Sequence, residues 1–253
     1  MNNYQQAAKA LLNNRRENAN NDRLMLQLRP ENCEQALQIQ AEMVNLRSDE
    51  VAAWKCLLPL NEDQLVVAPI FSNTVQSGKQ CKMFADKDRA RIEPEIAFVL
   101  AVDLPARQSG YSENEIDNAV QGCFMALELM QDRFSEDETP SFHEKLADCL
   151  VNQGLFIGPE IDKQQAYLAS EIKIEISQSN NKQTYNGKHP NQLPQKPLYW
   201  LINFMSKRGI DFKAGQAIIT GSYAGVIDVN FDTATTILYS GLGEYQVMFN
   251  ELF

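Results

Sequence analysis

The chain has 253 residues, 44% of them hydrophobic and 22% charged, with a formal net charge of -10. That length can bury a sizeable core without staples. The excess of acid disfavours a nucleic-acid or anionic-membrane surface, since both need clustered Lys and Arg.

The opening stretch MNNYQQAAKALLNNRRENANN is polar and has no apolar run of the signal-peptide kind. Residues 1–60 are expected to form a helical N-terminal segment. Within NCEQALQIQAEMVNL, Ala36, Leu37, Met43 and Val44 share a helical face and Asn32 can cap its start. Residues 61–253 read as a β-rich domain continuous with that segment. QLVVAPIF and IAFVL are short and β-branched or aromatic, as buried strands are. Between them SNTVQSGKQCKMFADKDRAR reads as a loop or weak hairpin. YSENEIDNAVQGC begins with a Ser112–Glu115 capping box and predicts a helix, followed by a strand through FMALELM. SEIKIEISQSNNKQTYNG alternates at Ile172, Ile174 and Ile176 and predicts a hairpin turning at Asn180-Asn181. PLYWLINFMSKRG predicts a helix stopped at Gly209, GQAIITGS a strand ending at Gly221, and TATTILYSGLGEYQVMF two final strands. No segment reaches the ~20 apolar residues of a membrane span.

Five scattered cysteines form no CxxC pair and read as reduced thiols, which points to a cytoplasmic protein. The chemistry concentrates in RIEPEIAFVL. On a strand, Glu93 and Glu95 point to the same face, and two like charges there repel unless a cation or proton lies between them. Pro94 places them at an edge, rim or bulge, because it cannot donate a ladder hydrogen bond. A solvated strand end explains the pair on spacing alone. A hard-metal site is the other reading and needs a third oxygen ligand from elsewhere, and Mg²⁺ or Mn²⁺ would suit such a donor set. Glu128, a charge inside the apolar run MALELM, is a candidate third ligand. It could instead face solvent or pair with Arg133.

RIEPEIAFVL, ALELMQDR, LADCLVNQGLFIGP, PLYWLINFM, GQAIITGS and YSGLGEYQVMF occur in an order that resembles the 2-keto-4-pentenoate hydratases. These belong to the fumarylacetoacetate hydrolase superfamily, together with the 4-oxalocrotonate decarboxylases. The resemblance implies an α+β fold, a distorted mixed β-roll or barrel flanked by helices. It implies a metal triad at Glu93, Glu95 and Glu128, and a substrate-side lysine at Lys55. It further implies a homo-oligomer acting on a small 2-oxo or 2-hydroxydienoic acid, with a divalent cation as cofactor. His143 and Glu144 fall in what resembles a mobile active-site segment and are candidate proton-transfer groups. Asp148, Gly221 and Ser222 are candidate substrate-binding residues, the last two through their backbone amides. His189 lies in a polar loop and receives no role.

The chain also departs from the family pattern. CLLPL follows Lys55 where the family has a glycine-rich phrase, SNT follows Phe71 where the family places aspartates, and DCLV replaces Asp-Asn-Ala-Ser. Three readings follow. They are a metal-dependent hydratase, a 2-oxo acid decarboxylase or acylpyruvate-type hydrolase on the same platform, and a catalytically altered binding or scaffold homologue.

Overall fold

The computed structural model describes residues 2–15, 21–61, 63–137 and 139–252. The chain begins with helix α1 (Asn3–Asn14), started by a capping box between Asn2 and Gln5. It buries Ala7, Ala8 and Leu11 on one face. Helix α2 (Cys33–Leu46) is capped by Asn32, whose side chain accepts from the Gln35 N–H, and buries Cys33, Ala36, Ile39 and Met43. These faces meet each other and a patch formed by Ala68, Phe71, Leu146 and Ala147, making a small core of their own. The helical stretch ends sooner than the expected residue 60. At Val51 the chain becomes strand β1 (Val51–Cys56), because Trp54 and its neighbours bury on both faces between two other strands.

The next strands are β2 (Val67–Phe71), β3 (Val75–Ser77), β4 (Gln80–Met83) and the long β5 (Ala90–Leu100). The segment expected as a loop or weak hairpin is a crossover: β3 joins one sheet and β4 the other. Helix α3 (Glu113–Ala119) has the expected Ser112–Glu115 box but ends before Val120. Strand β6 (Val120–Met130) takes over earlier than FMALELM, since Val120 and Gly122 pair with the end of β5. Then come helix α4 (Phe142–Ala147), strand β7 (Asn152–Ile161) and helix α5 (Lys163–Leu168). The hairpin of β8 (Glu171–Gln178) and β9 (Asn181–Lys188) turns at Ser179-Asn180, one residue before the expected pair, with Ser179 at φ 51°. Helix α6 (Gln195–Lys207), β10 (Ala217–Ile219), β11 (Ile227–Val229), β12 (Ala234–Tyr239) and β13 (Gly243–Glu251) complete the order.

Strands β2-β1-β10-β5-β6-β7-β3 form a mixed sheet with β11 added beside β5, and β4-β13-β12-β8-β9 form a second sheet. The fold is α+β, with a sheet curled into a half-barrel and helices around it, as expected. One face of the curled sheet carries Trp54, Ile92, Phe98, Leu127 and Ile218 into the main core shared with the second sheet and α6. The period of two sends the alternate residues to the opposite face. There Ala53, Ile70, Ala97, Ala126, Leu155, Ala217 and Ile219 form a plug of alanines and branched aliphatic side chains. The same alternation puts Lys55, Glu93, Glu95 and Glu128 on that second face.

Candidate metal centre

Strands β5 and β6 pair antiparallel with Glu93 directly opposite Glu128, and Glu95 follows Glu93 on the same face. Carboxylate oxygens of the three residues lie within 4.8 Å of one another. Glu128 and Glu95 are buried, while Glu93 is partly exposed. On its other side β5 pairs with β11 at residues 90–92 and with β10 at 97–99, which leaves a gap around Glu93 to Ile96. The rim expected at Pro94 is this gap. The Pro94 carbonyl faces it and accepts from the Tyr223 N–H, so the missing proline N–H, on the same side, interrupts no ladder. The Thr220–Val226 connection fills the gap, and its Gly221 N–H donates to Glu95 Oε2 at 2.6 Å.

Like charges about 5 Å apart repel by about 3 kcal/mol per pair even at an effective dielectric constant of about 20. The cluster answers this in two ways. Lys55, on β1, places Nζ 2.5 Å from Glu128 Oε1 and 3.4 Å from the Leu150 carbonyl. Asn152 donates Nδ2 to the same Glu128 oxygen at 2.9 Å. Burial alone would push the Lys55 ammonium down, but the Glu128, Glu93 and Glu95 carboxylates outweigh it and hold it above its ordinary value. Burial first, then the Glu128 charge, pushes the Glu93 carboxyl up to about 7. The same causes, with Glu93 added, push Glu95 well above the carboxylate range. One lysine thus faces three carboxyls.

The residues present fit a hard divalent cation. The donor set is all oxygen, Glu128 Oε2 is buried without a hydrogen-bond partner, and the excess negative charge is of the size such an ion neutralises. A cleft of about 210 Å³ opens on the cluster, walled by Leu57, Val66, Pro190, Ser222 and Gly225. Gly221 is required here. At φ 124° a Cβ would stand 2.4 Å from Leu57 Cδ2 and 2.9 Å from Pro190 Cγ.

The structure gathers Lys55, Glu93, Glu95, Glu128, Gly221 and Ser222 around one cleft and leaves the other candidates outside its lining. The Gly221 N–H, expected to meet a substrate carboxylate, is committed to Glu95 instead. Glu144 is buried in the first turn of α4, where it accepts from the Ser141 N–H and pairs with Arg23 and, at 3.6 Å, with Arg29. Those bonds make it a cap and an ion-pair anchor. His143 is partly exposed beside Phe142 on the same turn. Asp148 is buried and held by Arg133, Nε to Oδ2 at 2.8 Å. Arg133 therefore pairs with Asp148, and Glu128 pairs with Lys55. Sequence reasoning missed Asn152, whose type and position carry no signal until β7 sets it beside Glu128.

No family model matches the chain. It is 24% identical over 172 residues to a 2-hydroxyhexa-2,4-dienoate hydratase of Comamonas testosteroni; the match covers 64% of this chain and 60% of that relative. Among solved structures, a 4-oxalocrotonate decarboxylase from Pseudomonas putida G7, complexed with magnesium and adipate, superposes with a TM-score of 0.77 at 16% identity. That superposition covers 97% of each chain. A fumarylacetoacetate hydrolase family protein from Yersinia pestis CO92 superposes with a TM-score of 0.53 at 17% identity, over 81% of this chain and 95% of that one. The resemblance read from the motifs holds: the chain is related in sequence to a 2-hydroxydienoate hydratase and has the fold of the fumarylacetoacetate hydrolase superfamily.

Proposed function

We propose that this protein is a divalent-metal-dependent hydratase that adds water to a 2-hydroxy-2,4-dienoate, giving a 4-hydroxy-2-oxo acid. The observation that carries the reading is the Glu93, Glu95 and Glu128 cluster beside Lys55 in the lining of a small cleft. Similarity to the Comamonas hydratase supports this chemistry over others on the same fold.

Glu93, Glu95 and Glu128 would hold the cation, with Mg²⁺ the first choice and Mn²⁺ an alternative. When bound, it supplies Lewis acidity towards a substrate carboxylate and the oxygen on its neighbouring carbon. Gly221 N–H fixes the Glu95 carboxylate, and Asn152 Nδ2 with Lys55 Nζ fixes that of Glu128, so the donors need no rearrangement to receive a ligand. The Lys55 ammonium also opposes the negative charge of an incoming acid and carries a proton at Nζ within the site. Leu57, Val66 and Pro190 give the hydrocarbon chain an apolar wall and limit water. The same reading takes the protein to be cytoplasmic and homo-oligomeric.

Decarboxylation of a 2-oxo acid is the second reading, favoured by the superposition on the decarboxylase along 97% of both chains. The test follows the ultraviolet decay of 2-hydroxypenta-2,4-dienoate with added Mg²⁺ or Mn²⁺, beside Glu93→Ala. Metal-dependent decay to a hydroxy-oxo acid, abolished in the variant, is expected. A folded, metal-loaded protein that leaves the dienoate unchanged but releases CO₂ from a 2-oxo diacid would establish the second reading. Metal binding with neither turnover would make the chain an altered binding homologue.

A further inference from the structure

A second cleft, of about 670 Å³, lies where the C-terminal ends of α1 and α2 meet β3, β4 and the segment after β6. Among the described residues, none lines both this cleft and the metal centre. Its charge runs against that of the molecule. Arg15, Arg47, Lys82 and Arg133 line it, opposed by the lining carboxylate of Asp49 and by Asp148 behind Arg133. In a chain of net charge -10, these described side chains leave a local excess of two positive charges.

Polar atoms in its wall lack partners. Gln131 is 1% exposed, and among the described residues neither its Nε2 nor its Oε1 has a hydrogen-bond partner. Arg133, also 1% exposed, spends Nε and Nη2 on Asp148 and leaves Nη1 without a bond. A buried amide with both ends unpaired is costly, about 1–3 kcal/mol for each group. Removing the amide would relieve that cost at once, so its presence calls for an occupant. Two donors and one acceptor ask for a ligand with an anionic oxygen and a hydroxyl. Leu12, Phe84 and Leu129 add apolar surface that an inorganic ion would not use, and the volume is that of a small-molecule site.

We propose that this cleft is a second ligand site, taking a small hydroxylated organic acid. Its carboxylate meets Arg133 Nη1 and Gln131 Nε2, and its hydroxyl donates to Gln131 Oε1. The inference stands apart from the reaction assigned above.

The test is calorimetric titration of malate into the full-length, magnesium-loaded protein, with succinate as the comparison that lacks the hydroxyl. Malate binding retained in Glu93→Ala, weakened about tenfold in Gln131→Leu and several-fold in Lys82→Glu is expected. Succinate should bind about tenfold more weakly than malate, for loss of the same hydrogen bond. Gln131→Leu is close to the native side chain in volume, and Lys82 is on the exposed rim, so the second variant keeps the test valid if the first fails to fold. Malate binding that disappears in Glu93→Ala but persists in both cleft variants would place it at the metal centre and overturn the proposal. Absence of binding at millimolar malate, or equal affinity for succinate, would overturn it as well.

Discussion

His189 shows how a residue without chemistry can still set the site. It is buried at 4% exposure, its Nδ1 accepts from the Asn191 N–H at 3.2 Å, and its ring packs against Tyr223. The next residue, Pro190, forms the cleft wall against Gly221. Sequence reading put His189 in a polar loop, because its neighbours are polar and only the tertiary fold covers it. Burial lowers its pKa from 6.5 to about 4, against the opposing effect of a backbone bond at Thr220. Between pH 4 and 6.5 this histidine stays neutral in the fold while the unfolded chain takes up a proton, so its contribution to the native state is complete only above pH 6.5. That contribution is lost as pH falls from 6.5 towards 4, by about 3 kcal/mol at most. Carboxylates titrate over the same interval, so the readable quantity is the difference from His189→Gln. The stability gap between the two proteins in urea should change by up to that amount between pH 7 and 4. A gap that stays constant would show that His189 titrates in the fold as it does in the unfolded chain.

The turn from Cys149 to Val151 is the element that most resists reading from sequence. Three consecutive non-glycine residues have positive φ, at 60°, 55° and 58°. A left-handed turn is unfavourable for L-residues and most so for a β-branched one, by roughly 1–2 kcal/mol each. It persists because its ends are pinned. Arg133 holds Asp148, the Gln131 N–H donates to the Val151 carbonyl at 2.8 Å, and Lys55 donates to the Leu150 carbonyl. Val151→Gly should therefore raise stability by about 1 kcal/mol, read as a shift in the urea midpoint at unchanged slope. A loss of stability would mean that the valine side chain packs well enough to offset its backbone. Such pinning connects residues far apart in the chain, as Gly221 to Glu95 does across 126 positions, and no local pattern announces it. Local patterns were legible where one face is wet. Ile172, Ile174 and Ile176 alternate in β8, and Ser112 and Glu115 cap α3. Strand β1 was not, because AAWKC is covered on both faces and shows no alternation. The paired glutamates of β5 were visible as a motif, yet only the β5–β6 register sets Glu128 opposite Glu93.

Across the whole molecule, the Glu93, Glu95 and Glu128 cluster concentrates repulsion in the middle of the larger sheet, so a cation held there would be thermodynamically linked to the fold. Three carboxyls on β5 and β6 share one lysine from β1, and two of them are pushed up by burial and mutual charge. A cation that binds this arrangement and not the unfolded chain stabilises the protein by about 2.7 kcal/mol at a hundredfold excess over its Kd. For a chain of 253 residues that is an increase in Tm of about 5–10 °C on adding Mg²⁺, reversed by a chelator. Glu93→Gln separates the two halves of the argument. It removes one like charge without changing the side chain's shape, so the metal-free variant should melt above the metal-free native protein while its response to Mg²⁺ falls away. A variant that melts lower without metal would mean that Glu93 is held by favourable contacts and carries no strain. A variant that keeps the full response would take Glu93 out of the metal site.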